Sequence, residues 1–421
     1  DIESLNYDNI PERKSIARLG YIQDEGFSPY VPGLVFDGAS SFRQIFSAVG
    51  SHGDRKKWYD LALKIRETNV TSRLMLAASF ASVLVHPCGS LPFFVHLWGG
   101  ESGTGKTVAL MLAASVWADA KLGRYIQTFN STQVGHEKLA AFLNNLPLCL
   151  DELQLSKDTR GRTRFDVYAL AEGIGRTRGN KQGGVDRVPT WSNCMLTTGE
   201  TPITTASSGA GAINRVINIE CKPGEKIFDD SRLVASTVKA NYGFAGREFV
   251  ERLYSDDANI DRCAALCDDF LKELSSTGAT EKQAVAASVV LTADKLATEW
   301  LFCDRKELTA QDISPYLANN SDVSVGERGY AYMCDWVAKN ANKMRVTSEQ
   351  GDVYGLVQDD KAYIIRSVFN RAAEDGGFNP SALLSYFKQK ELIETRGRAM
   401  TKCKRINGIK VECVCLSLGK D

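Results

Sequence analysis

The chain has 421 residues, long enough for two or three domains of ordinary size. Apolar residues make up 43% and charged residues 24%, while 51 basic side chains against 51 acidic ones leave no net charge. That balance fits a packed globular protein and excludes a histone-like or polyanionic chain, so any charged partner must be met by a local site.

Residues 1 to about 40 are punctuated by Pro11, Pro29, Pro32, Gly20, Gly26, Gly33 and Gly38, which predicts short strands in an irregular lead-in. From Phe42 to Val85 apolar residues recur at helical spacing, predicting a helical subdomain. Its Leu74 to Val85 stretch is about two-thirds of a bilayer span and carries two serines, so it reads as a buried helix and no membrane partner is expected. Between Phe93 and Ile219, four apolar runs alternate with helical stretches: Phe93 to Trp98, Leu146 to Leu150, Trp191 to Leu196 and Val216 to Ile219. This alternation predicts a mostly parallel sheet flanked by helices. A mainly helical region is expected from Ser231 to Ala318, with its longest pattern over Glu281 to Phe302. Helices over Tyr363 to Asp375 and Pro380 to Lys390, then strands Met400 to Ile406 and Lys410 to Leu418 turned by Asn407-Gly408, have the grammar of a winged helix. The predicted division is 1–88, 89–225, 226–320 and 321–421: lead-in, nucleotide-binding core, helical lid and winged-helix domain.

The eleven cysteines have no framework spacing and only four histidines accompany them, which suits a reducing, cytoplasmic location and argues against structural zinc. No signal peptide is visible, and a first residue of Asp1 in place of Met points to a fragment of a longer protein.

The strongest motif is Gly100-Glu101-Ser102-Gly103-Thr104-Gly105-Lys106-Thr107, between an apolar strand and a helical stretch. Glycines let backbone N–H groups curl around a phosphate, and the following helix N-terminus adds favourable dipole charge. Gly100, Ser102, Gly103, Thr104 and Gly105 are therefore expected to bind ATP, with Lys106 on the β- and γ-phosphates and Thr107 on Mg²⁺. The run Leu146 to Leu150 ends in Asp151-Glu152. The first carboxylate suits Mg²⁺ and the second can polarise a water, a pairing that points to hydrolysis. The third run ends in Thr197-Thr198-Gly199-Glu200, where either threonine, Thr198 foremost, can hold the lytic water. Arg215 precedes the fourth run and can reach a neighbouring subunit's γ-phosphate, the alternative being a surface salt bridge.

Taken together, GESGTGKT, LCLDE, LTTGE and INRVI resemble the AAA+ family. With Phe36-Asp37-Gly38, Leu76 to Ser82, Ala113 to Ala118 and Thr128 to Thr132, the stretch from Phe36 to about Ala297 resembles the domain of unknown function 927. That domain occurs in MCM-like replicative helicases of bacterial mobile elements. The resemblance implies a homohexameric ATPase translocating on single-stranded or forked DNA, with a replication initiator or a primase/polymerase as a further partner. It makes Arg215 the arginine finger and puts Lys282 at the second sensor, where the family prefers arginine; an ammonium is the weaker clamp.

Two regions are candidates for DNA. Residues 173–187 hold four basic residues, one acid and five glycines, and in MCM-like rings this place holds a channel hairpin, so Arg176, Arg178 and Lys181 are expected on phosphates. From Ser381 to Asp421 nine basic residues face four acids, with Lys402, Lys404 and Arg405 entering the expected wing. The competing reading is a DNA-binding initiator that uses ATP as a switch without unwinding. A phage-type superfamily 3 helicase or a signalling ATPase is a weaker third.

Overall fold

The computed structural model describes residues 13–156, 165–179, 183–204, 208–345, 352–395, 397 and 399–419. They divide into two compact units, one from the described residues of 1–204 and 214–317, the other from those of 205–213 and 318–421. The first unit takes in most of the three segments 1–88, 89–225 and 226–320, whereas 205–213 and 318–320 fall in the second.

The first unit opens with short strand pairs, Gly20–Ile22 against Gly26–Ser28 and Ser15–Ile16 against Val35–Phe36. Helices α1 (Arg55–Thr68) and α2 (Val70–Ala81) follow, each started by a side-chain cap, Asp54 and Asn69. From Leu74 on, α2 is wholly buried, as its largely apolar run requires.

The sheet consists of β1 (Phe93–Trp98), β2 (Gln127–Thr128), β3 (Leu148–Asp151), β4 (Cys194–Gly199) and β5 (Val216–Glu220), all parallel, in the spatial order β2-β3-β4-β1-β5. Strands β1, β3 and β4 are almost wholly buried, as in a sheet covered on both faces. Helix α3 (Lys106–Ser115) leaves β1 directly, α4 (Gln133–Leu143) precedes β3, and the short α5 (Val167–Ala171) leads toward β4. The helical region is α6 (Ser231–Ala240), α7 (Phe244–Leu253), α8 (Asp257–Ser275) and α9 (Glu281–Ala297), which Thr298–Phe302 extends as a π-turn.

Buried Arg66 on α1 bolts the lead-in to this helical region. Its guanidinium pairs with Asp294 and Asp304, both at 2.7 Å, and lies 4.5 Å from the centre of the Phe302 ring. A guanidinium at 1% exposure is tolerable only when its donors are met this fully.

The second unit contains α10 (Val325–Lys339), β6 (Gly355–Gln358), β7 (Lys361–Ile365), α11 (Arg366–Asp375), α12 (Pro380–Gln389), β8 (Ile393–Glu394), β9 (Lys402–Ile406) and β10 (Ile409–Ser417). Sheet order is β6-β7-β10-β8, with β9 pairing β10. The Asn407-Gly408 turn is as expected, both residues having positive φ (50° and 78°) as a two-residue hairpin demands. The helix expected from Tyr363 begins only at Arg366. Residues 361–365 instead pair with both β6 and β10 and bury Ala362 and Ile364 in alternation, a strand set by partners distant in sequence.

Candidate functional site

At the C-terminal edge of the sheet, the loop between β1 and α3 frames a cavity of about 340 Å³ that Asp151, Glu152, Thr198 and Glu200 also line. Gly103 and Gly105 adopt φ of 82° and 102°, a region that side chains other than glycine rarely enter. A Cβ at Gly105 would also lie 3.2 Å from the Phe228 ring. Gly105 is the N-cap of α3 and gives no side-chain cap, so the first-turn amides remain available to an anion. Lys106 curls back over the loop, donating to the carbonyls of Gly99 at 2.7 Å and Glu101 at 2.9 Å.

Asp151 ends β3 and is 3% exposed. Its Oδ1 accepts from the Thr107 hydroxyl at 3.2 Å and from the Thr198 hydroxyl. Glu152 is exposed and takes φ of 63°, an uncommon conformation for a non-glycine residue, with its amide donating to Thr198 Oγ1 at 3.3 Å. Thr197 points the other way, to His96 Nδ1 at 2.8 Å. The other ring nitrogen of His96 lies 3.0 Å from the Thr201 carbonyl. A carbonyl only accepts, so Nε2 carries the proton and Nδ1 accepts from Thr197. Burial lowers the His96 pKa to about 4 and keeps it neutral. Of the two threonines, Thr198 belongs to the site.

One hydroxyl and one carboxylate beside an anion cradle are what a hard divalent cation needs when phosphate and water supply its other ligands. Among the described residues no cluster of three or more His, Cys, Asp or Glu could hold a metal unaided.

Arg215 and Lys282 lie together at the opposite, N-terminal edge of the sheet. Both line a cavity of about 220 Å³. Gln283 Nε2 donates to the Val216 carbonyl at 2.7 Å and fastens the start of α9 to the start of β5. Arg215 is 6% exposed, pairs with Glu172 at 2.5 Å and lies 4.6 Å from the centre of the Tyr168 ring. It is therefore built into its own chain more firmly than a surface salt bridge.

Residues 174–179 and 183–190 run antiparallel as the two arms of a hairpin, with Ile174 bridging Thr190 and Gly179 bridging Val185. Lys181 lies outside the described residues. Arg176 and Arg187 are exposed. Arg178 is engaged elsewhere: it pairs with Glu137 at 2.8 Å, and that carboxylate is buried. The expected wing cations are likewise occupied in part. Lys402 pairs with Glu394, which Lys361 also holds at 2.5 Å, and these two lysines lower the Glu394 pKa to about 2. Lys404 stands 4.2 Å over the Tyr363 ring and donates to Gln358 at 3.0 Å. Arg405 is exposed.

With this geometry in hand, residues 8–191 match the family model described as "domain of unknown function (DUF927)". The matched stretch ends before β4 and β5 of the sheet. Residues 324–421 match the Cch helix turn helix domain, which spans α10 to β10. No curated protein matches the chain. Among solved structures, SCCmec type IV Cch, described as an active helicase, is 19% identical and shares the fold with a TM-score of 0.71 over 99% of this chain and 83% of its own. The apo C-terminal region of NrS-1 covers 99% of this chain and 90% of its own at 11% identity, with a TM-score of 0.32.

The residues that match DUF927 include the phosphate loop, Asp151, Glu152 and the hairpin arms, whereas Thr198, Arg215 and Lys282 lie beyond them. The sequence reading missed Gln154 and Ser231, which line the phosphate-loop cavity. Gln154 Oε1 is buried with no partner among the described residues, an orphan acceptor two positions after Glu152. That spacing in Asp151-Glu152-Leu153-Gln154 was its only sequence signal.

Proposed function

We propose that the chain is the motor of an ATP-dependent, ring-forming DNA helicase of AAA+ type, acting in replication of a mobile genetic element. One observation carries this reading: Thr107 and Thr198 converge on Asp151 beside the glycine loop, with exposed Glu152 next in the chain. The spatial order β2-β3-β4-β1-β5, with the loop after the central β1, supports an AAA+ core. The fold shared with the Cch helicase and the helix-turn-helix match support an action on DNA.

In this reading the loop amides and Lys106 hold the nucleotide phosphates. Mg²⁺ held by Thr107 and Asp151 would neutralise charge on the β- and γ-phosphates. Glu152 takes the proton of the attacking water, and Thr198 fixes the backbone that presents it. Arg215 and Lys282 act on the neighbouring subunit's nucleotide. Their shared cavity lies across the sheet from their own phosphate loop, as a head-to-tail ring requires. To act in trans, Arg215 exchanges Glu172 for phosphate.

The test measures ATP hydrolysis and unwinding of a forked duplex side by side. Unwinding that depends on hydrolysis supports the motor. Hydrolysis and duplex binding without unwinding would favour the switch-type initiator, the reading that the helix-turn-helix match keeps in view.

A further inference from the structure

A second cavity, of about 810 Å³, lies far from the phosphate loop. It is lined by Asn144 and Asn145, just ahead of β3, and by Trp191 and Ser192, just ahead of β4. Because the strands are parallel, it opens at the N-terminal edge of the sheet. Its floor is fixed: Asn145 Oδ1 accepts from the Tyr21 amide at 2.9 Å, and Asn145 Nδ2 donates to the Ser192 carbonyl at 3.3 Å. Gly20 makes this approach possible, since a Cβ there would lie 2.7 Å from Asn145 Oδ1.

Three features of the wall point to one kind of ligand. Tyr21 stacks on Tyr254 with ring centres 4.9 Å apart, yet stays 42% exposed, so an aromatic surface is held open beside the cavity. Arg18 is half-buried there and forms no ion pair among the described residues, although Asp257 and Asp261 line the same cavity. Burial lowers the Arg18 pKa, and the Arg187 cation on the returning strand of the hairpin lowers it further. Two like charges kept together, one of them partly desolvated, form a site that an anion would relieve. The third feature is the pair of acidic acceptors, which suits the N–H edge of a base. A phosphate, a stacking ring and an N–H edge together make a nucleotide.

Free nucleotide and nucleic acid share this chemistry. A strand is favoured because Thr190, which bridges Ile174 at the root of the hairpin, is itself part of the cavity wall. We propose that the cavity holds one nucleotide of a bound single strand, with its phosphate at Arg18 and its base on Tyr21. The proposal rests on reading the chain as a DNA motor and adds a residue-level contact outside the hairpin.

The experiment irradiates the full chain with a dT20 oligonucleotide carrying 4-thiothymidine and maps the adducts by mass spectrometry. Adducts at Tyr21 or Tyr254 are expected, unaffected by millimolar dTMP. In parallel, Arg18→Ala with Tyr21→Leu should weaken dT20 binding about tenfold, the scale of one lost stacked base. The same variant should flatten the slope of log K against log salt by about 0.7 for each lost phosphate contact. A thermal melt of the variant shows whether it is folded, and the wild-type adducts decide the matter if it is not. Wild-type binding of dT20 with no adduct at these rings, or with unchanged affinity in the folded variant, overturns the pocket and leaves the motor reading standing. Adducts abolished by dTMP at unchanged dT20 affinity overturn it in favour of a free-nucleotide site. No DNA binding by wild type in any nucleotide state overturns the pocket and the motor together.

Discussion

The Thr198 hydroxyl donates to the Asp151 carboxylate, and the Glu152 amide donates in turn to Thr198. One β4 side chain thus sets both acidic groups at the end of β3, including the left-handed backbone that turns Glu152 outward. Loss of this hydroxyl should disturb the direction of Glu152 more than phosphate binding. Thr198→Ala is expected to lower kcat at little cost in nucleotide affinity, and Thr198→Ser to restore most of the rate. Equal losses in both variants would show that the methyl packing matters and the hydrogen bond does not.

Lys106 and Glu152 should fail in different ways. Lys106→Ala removes a cation that would sit on the phosphates, so nucleotide binding should fall. Glu152→Gln keeps the shape and removes the base; binding should persist while turnover drops by about 10² or more. Fluorescent-nucleotide titration beside a phosphate-release assay separates the two. Wild-type turnover by Glu152→Gln would remove the assignment of that carboxylate.

Some of this site was legible in the sequence because its chemistry is local. The glycine loop needs its residues in a fixed order, and Asp151-Glu152 follows a visible apolar run. The choice between Thr197 and Thr198 depended on which of them shares the sheet face of Asp151, and the pleat sends adjacent side chains to opposite faces. Arg178 was expected on DNA because its charge is visible and its partner is not: buried Glu137 lies on another element, α4. Residues 363–365 look helical beside the true helix that begins at Arg366, and pairing with β6 and β10 makes them a strand. Strand β2 is two residues long and leaves no periodicity to read.

Histidine burial gives a pH dependence of stability. Burial is the main cause that lowers His96 and His136 to about 4. The unfolded chain titrates near 6.5, so between those values it binds protons that the fold does not, and stability falls as pH drops. Each histidine should cost about 2 kcal/mol between pH 7 and pH 5. Urea unfolding at the two values measures it, and His136→Gln should flatten the dependence. A pH-independent midpoint would contradict the buried, neutral state of these rings.

Arg215 should act only between subunits. Arg215→Ala protein should bind ATP and hydrolyse it poorly, and mixing it with Lys106→Ala protein should recover some activity, since one interface then pairs an intact loop with an intact arginine. Arg215→Ala also strips Glu172 of its partner, so Arg215→Lys is the better folded control: it keeps the charge and loses the planar fork. No recovery on mixing, or no oligomer in any nucleotide state, would exclude action in trans.

The hairpin cations divide by what they touch, and so should their mutants. Arg176 is exposed, whereas Arg178 holds buried Glu137. Removing Arg178 leaves a carboxylate without its partner in a poorly solvated place, so Arg178→Ala should lower the thermal midpoint before it says anything about DNA. Arg176→Ala combined with Lys181→Ala leaves that pair intact and tests the channel role directly. If these side chains grip a moving strand, base pairs unwound per ATP hydrolysed should collapse, and single-strand binding should weaken without sequence preference, with a shallower salt slope. The helix-turn-helix unit offers the contrast. Lys402 is tied to Glu394 and Lys404 to Tyr363 and Gln358, which leaves Arg405 the most exposed of the three. Arg405→Ala should reduce recruitment to duplex DNA more than unwinding of a preformed fork, and Lys402→Ala should mainly loosen the β8–β10 edge that Glu394 occupies. Wild-type coupling in the Arg176/Lys181 double variant would refute the channel assignment and shift weight to the initiator.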